Sequence, residues 1–174
     1  DNLEAIGALI EAGADVNARN SANVSALMAA ARSNRNPEVI KALIKAEADL
    51  DEKALNLAAR YNANPRVIKA LVEGGAEVNA KSGRGGSTAL MEAARYNSNP
   101  EIVFALVSAG AGVNAKSGLL GSTALMEAAR HNSNPEVILA LVKLATDLGG
   151  TALIDETLMK AASSKTTKQS EQKT

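Results

Sequence analysis

The sequence predicts an all-α solenoid assembled from copies of one helix-turn-helix unit, and three observations carry that prediction. All four prolines, Pro37, Pro65, Pro100 and Pro135, sit in one local phrase at spacings of 28, 35 and 35 residues. Each follows an Asn-x-Asn triplet: Asn34-Arg35-Asn36, Asn62-Ala63-Asn64, Asn97-Ser98-Asn99 and Asn132-Ser133-Asn134. The hydrophobic fraction of 46% is mostly Ala, Leu, Val and Ile, with one Phe, two Tyr and no Trp. Such a composition suits close helix–helix contact through small side chains, not a deep aromatic-lined pocket. A unit repeating at roughly 20–50 residues cannot bury its apolar face alone, and a core forms only when neighbours stack.

Taken in order, Leu3 to Asn17 reads as the second half of a unit whose first helix is missing. Full units follow over Ser25 to Asp51, Ala54 to Asn79, Thr88 to Ala115 and Thr123 to Leu148. In the clearest of them, Thr88 is expected to cap a first helix, with Asn97 ending it in the left-handed conformation. Asn99 then caps a second helix, Pro100 occupies its first turn where no amide donor is needed, and Glu101 meets the positive dipole end. Ile102, Val103, Leu106 and Val107 form its apolar face, and Gly110 stops it. The unit beginning at Ala54 has Lys53 where a Ser or Thr cap is expected. Thr151 to Ala162 reads as a first half unit and degenerate cap, with Glu156 and Thr157 where the preceding unit has Ala128 and Ala129. Residues 1–162 are thus expected to form one array of about four full repeats with a half repeat at each end, and 163–174 a disordered polar tail. The chain opens within a repeat, which reads as a fragment or processed form.

The order Thr-Ala-Leu-Met-x-Ala-Ala, then Glu-Val-Ile-x-x-Leu-Val, then Gly-Ala-x-Val-Asn-Ala resembles the ankyrin repeat. The last phrase stands at Gly13-Ala14-Asp15-Val16-Asn17-Ala18, Gly75-Ala76-Glu77-Val78-Asn79-Ala80 and Gly110-Ala111-Gly112-Val113-Asn114-Ala115, and the resemblance spans about residues 3–162. It implies an ankyrin-type solenoid with short β-turn fingers between units. Two departures stand out. The family's Thr-Pro-Leu-His becomes Thr88-Ala89-Leu90-Met91 and Thr123-Ala124-Leu125-Met126, and its Gly-His turn becomes Asn-x-Asn-Pro. Capping by Asn and Pro is expected to substitute. This variant style is similar to arrays in bacterial proteins. The fingers are uneven: nearly deleted between Leu50 and Leu55 and between Leu148 and Leu153, which accounts for the 28-residue spacing.

Nineteen basic and nineteen acidic residues cancel, so nothing asks for a nucleic-acid backbone. Without cysteine there is no disulfide framework and no thiolate metal site, and the compartment stays open. No apolar run approaches the roughly 18 residues of a membrane span. The one histidine, His131, aligns with Ser33, Tyr61 and Tyr96 in a variable surface slot, and a single imidazole without partners is not a site. Gly83-Arg84-Gly85-Gly86 lacks the Lys-Ser/Thr of a phosphate loop and reads as a finger. Asn23-Val24-Ser25 matches a glycosylation acceptor by chance composition. The chain is read as non-enzymatic, with no cofactor and no metal.

The first helices carry the candidate contact surface. Positions sharing one face are Ala29/Arg32/Ser33, Leu57/Arg60/Tyr61, Glu92/Arg95/Tyr96 and Glu127/Arg130/His131. Arg and Tyr are the residue types that anchor interfaces, and Tyr61 and Tyr96 are the expected hot spots. A plainer reading makes Glu92–Arg95 and Glu127–Arg130 solvating pairs within a helix, each worth about 0.2–0.5 kcal/mol, with the repeated Arg tying helix to helix. At the finger tips, Arg84 and the apolar pair Leu119 and Leu120 join the candidate set. On the second helices, Phe104 and Leu139 replace Lys41 and Lys69 and are expected to face outward as neighbours.

By the resemblance, the function is binding of a protein or peptide partner on the concave, finger-lined face, through a rigid surface that loses little entropy on association. A structural spacer or oligomerisation scaffold, or the targeting domain of a larger enzyme, are the alternatives, and a monomer is expected.

Overall fold

The computed structural model describes residues 2–83, 85–118 and 121–147. The half-repeat after Thr151 and the polar tail lie outside these residues, as does the second deleted finger. The described chain is a two-layer stack of helices in chain order: α1 (Asn2–Glu11), α2 (Ala26–Ser33), α3 (Pro37–Lys45), α4 (Glu52–Tyr61), α5 (Pro65–Glu73), α6 (Ala89–Tyr96), α7 (Pro100–Ser108), α8 (Ala124–His131) and α9 (Pro135–Asp147). The first helices of the units, α2, α4, α6 and α8, form one layer, and the second helices α1, α3, α5, α7 and α9 the other. The first-helix layer is the more closely packed, because Ala31, Ala58, Ala59, Ala93, Ala94 and Ala128 are buried in it and let the backbones approach. Unequal spacing of two layers curves a stack, with the first helices inside.

Helix starts follow the expected chemistry with one correction. Ser25, Thr88 and Thr123 accept from the amides of Met28, Met91 and Met126. Asn36, Asn64 and Asn99 cap the second helices ahead of prolines at their first turns. In the unit after the deleted finger, however, α4 starts earlier than the Ser/Thr slot implied. Asp51 is its cap, accepting from the Lys53 amide at 2.6 Å.

The helix ends bring a second correction. Asn97 is not left-handed; it sits at φ −89°, ψ 132°, an extended conformation shared by Asn34, Asn62 and Asn132. Its side chain acts over a distance instead. The buried amides of the last three in chain order donate to two carbonyls each of the preceding unit: Asn62 to Ala31 and Asn34, Asn97 to Ala59 and Asn62, Asn132 to Ala94 and Asn97, at 2.7–2.9 Å. Their oxygens accept the amides two residues on, at Asn64, Asn99 and Asn134. In the last three triplets the second Asn both caps its own helix and donates to the previous unit, as Asn99 does to Ala63 at 2.9 Å. The Asn-x-Asn-Pro phrase is therefore a double amide ladder as well as a turn.

On the opposite edge, Asn17 and Asn79 brace successive units through Glu47, Asp49, Gly110 and Gly112. The glycine-bearing segment near 83–86 is a finger, closed by an antiparallel bridge between Ser82 and Ser87. Its Gly85 carbonyl accepts from Gly118 in the next finger at 3.0 Å.

Candidate functional site

The inner surface is built by side chains projecting from α2, α4, α6 and α8 into one column. Arg32 lies over the ring of Tyr61, with 4.7 Å from its guanidinium carbon to the ring centroid, and Arg60 lies over Tyr96 at 3.7 Å. Each tyrosine also meets the arginine of its own helix at 5.0 Å. Arginine and tyrosine therefore alternate along the stack, each ring held between two guanidinium groups. Both rings stay open to solvent, Tyr61 at 47% and Tyr96 at 43% exposure.

The carboxylates do not make the pairs that helical spacing suggested. Glu92 binds Arg60 of the preceding unit at 3.6 Å, and Glu127 binds Arg95 at 3.5 Å. The i,i+3 partners Glu92–Arg95 and Glu127–Arg130 form no salt bridge among the described residues. The reason is geometric: stacked first helices bring an arginine of one unit above the glutamate of the next. Glu127 also lies 3.9 Å from the His131 imidazole. Arg130 is exposed and stands apart from this network. Arg60 Nε, Arg95 Nε and Glu127 Oε2 are buried yet make no hydrogen bond, so some of the network's polar capacity is unused.

Of the remaining candidates, Arg84, Leu119 and Leu120 lie outside the described residues. The outward pair on the second helices divides. Leu139 is 48% exposed, whereas Phe104 is half-buried and packs against the core.

Charge is segregated between the layers. The described residues of the first helices with the fingers before them (16–33, 49–61, 76–96 and 111–131) hold eight Lys/Arg against six Asp/Glu. The remainder of 2–147 holds six against nine. The overall neutrality of the sequence conceals a basic inner face and an acidic outer one. On the outer face the hydrogen bond from Lys41 to Glu38, 2.9 Å long, holds that ammonium above the ordinary lysine value. Sequence reasoning placed the arginines, Arg32 among them, and the tyrosines on one face but missed the charge separation, visible only once helices are sorted into layers.

Among the described residues, no group of three or more His, Asp or Glu side chains is placed to hold a metal ion. No helix among them is long and apolar enough to cross a membrane.

No curated protein matches the chain. The family described as ankyrin repeats (3 copies) matches residues 1–82, 55–152 and 90–168. Ankyrin repeats generally serve as protein–protein interaction modules and are typically non-catalytic. With matches across most of its length and a stack of paired helices joined by β-turn fingers, the chain belongs to the ankyrin repeat family.

Proposed function

We propose that this protein binds a protein or peptide partner on its concave, finger-lined face, with Arg60, Tyr61, Arg95, Tyr96, Arg130 and His131 at the centre of contact and Glu92 and Glu127 positioning the arginines. The observation that carries this reading is the alternating column of Arg32, Tyr61, Arg60, Tyr96 and Arg95. Its rings are fixed by neighbouring guanidinium groups yet remain nearly half exposed. Such side chains lose little rotamer freedom on binding, so their apolar area counts almost fully toward affinity.

The experiment is capture of partners on immobilised wild-type chain beside Arg95→Glu/Tyr96→Ala. A partner retained by wild type and lost by the variant supports the concave face. Equal retention by both moves the working surface elsewhere.

A further inference from the structure

Between Leu50 and α4 the chain makes no finger, while fingers stand on both sides, at 17–24 and 81–87. The missing finger leaves a cavity of about 410 Å³ on the inner face. Met28 and Leu57 contribute its apolar surface, Val24 and Ser82 belong to the flanking fingers, and Lys53 and Arg60 supply cationic groups. Asn56 hydrogen-bonds to Ser82 and to the carbonyl of Ser87, so the wall on the third-unit side is braced against the floor.

The charges around this cavity are unbalanced. The one carboxylate lining it, Glu92, is engaged by Arg60 at 3.6 Å. Lys53 makes no salt bridge among the described residues, and it stands in the first turn of α4, where the helix dipole disfavours a cation. Nearby, Asp51 is taken up by Arg19 at 3.3 Å and by capping α4. Asp51 and Glu52 line a separate cavity, on the side of Gly75 to Lys81. An apolar floor with an uncompensated cation, on a face already basic, selects a ligand carrying both an aliphatic group and negative charge.

We infer that the gap left by the missing finger is a socket for an acidic peptide segment of the partner. An aliphatic side chain lies on Met28 and Leu57, and a carboxylate sits beside Lys53. This rests on the concave-face reading above and adds to it the place and the chemistry of the occupant.

The test uses the full chain and a short fluorescein-labelled peptide of alternating glutamate and leucine, followed by anisotropy. The expected result is saturable binding that weakens with added salt and falls roughly tenfold in Lys53→Glu, the scale of reversing a charge beside a partner's charge. That substitution places an acid at a helix N-terminus and so preserves folding. A second variant, with a copy of segment 80–87 inserted before Asp51, should abolish binding while retaining wild-type helicity by circular dichroism. Equal binding of a lysine–leucine peptide, preference for a DNA oligonucleotide, or unchanged affinity in Lys53→Glu would each overturn the socket. If Lys53→Glu binds normally while Arg95→Glu/Tyr96→Ala does not, the socket fails and the concave-face reading stands.

Discussion

Asn97 donates its side-chain amide to the backbone carbonyl of Asn62 at 2.9 Å, and Asn62 itself donates in the same way to Asn34 of the unit before it. The Asn97 amide is buried and its second proton goes to Ala59. Each junction between the full units is thus closed by a polar bridge that water does not reach.

Loss of that bridge should be costly. Asn97→Ala leaves two carbonyls without their donor and is expected to lower unfolding free energy by about 2–4 kcal/mol, read by urea denaturation. Asn97→Asp should cost more near neutral pH, because a buried carboxylate would face two carbonyl oxygens. Those neighbours raise the folded-state pKa of a carboxyl there above its unfolded value. Its stability should therefore recover at pH below the unfolded value and be lost as pH rises through the folded one. A pH-independent loss would contradict this account.

The arginine–tyrosine column predicts measurable coupling with little effect on folding. A double-mutant cycle of Arg60→Met and Tyr96→Leu should give a coupling of about 0.5–1 kcal/mol, the size of a partly exposed cation–π contact. Tyr96→Phe keeps the ring and should leave stability unchanged. Zero coupling would mean the stacked geometry contributes nothing in solution.

Glu47 has φ 62°, left-handed, at the position where other units have Gly13 (φ 85°), Gly75 (φ 106°) and Gly110 (φ 95°). A side chain with a Cβ is strained there. Glu47→Gly is expected to raise stability by about 0.5–1 kcal/mol, and the thermal midpoint should rise with it. A fall in midpoint would show that Glu47 makes a compensating contact.

Gly86 (φ 60°) tests the coupling between fingers. A Cβ there would lie 3.0 Å from the amide nitrogen of Gly118, which donates to the Gly85 carbonyl. Gly86→Ala should destabilise by about 1–3 kcal/mol and speed exchange of the Gly118 amide. At Gly83 (φ 70°) the space is open, so Gly83→Ala should show backbone strain alone and leave that amide protected.

The repeat, its helices and most caps were legible in sequence because they depend on neighbours within a few residues: Thr88 before a helix, Asn99 before Pro100. What was not legible depends on partners elsewhere in the chain. Asn97 carries a local end-of-helix signal, so its bonds to residues 35 and 38 positions away stayed hidden behind it. Glu92 has a plausible partner at i+3, yet stacking supplies a better-placed one in Arg60. The lost finger was visible as a shortened spacing, but the cavity and the unpaired Lys53 emerge only when flanking fingers stand beside it. Phe104 is less exposed than its slot implied, because alignment with Lys41 and Lys69 fixes a position on the helix, not how much of the side chain packs against the core.

The Asn62 bond to Asn34 spans 28 residues and the Asn97 bond to Asn62 spans 35, yet the two have nearly the same length, 2.8 and 2.9 Å. The intervening chain can therefore shed a whole loop without disturbing the seam that joins the units. The asparagine seam and the length of the fingers therefore vary independently at this junction. A loop can be shortened or erased in such a stack while the spine keeps its register.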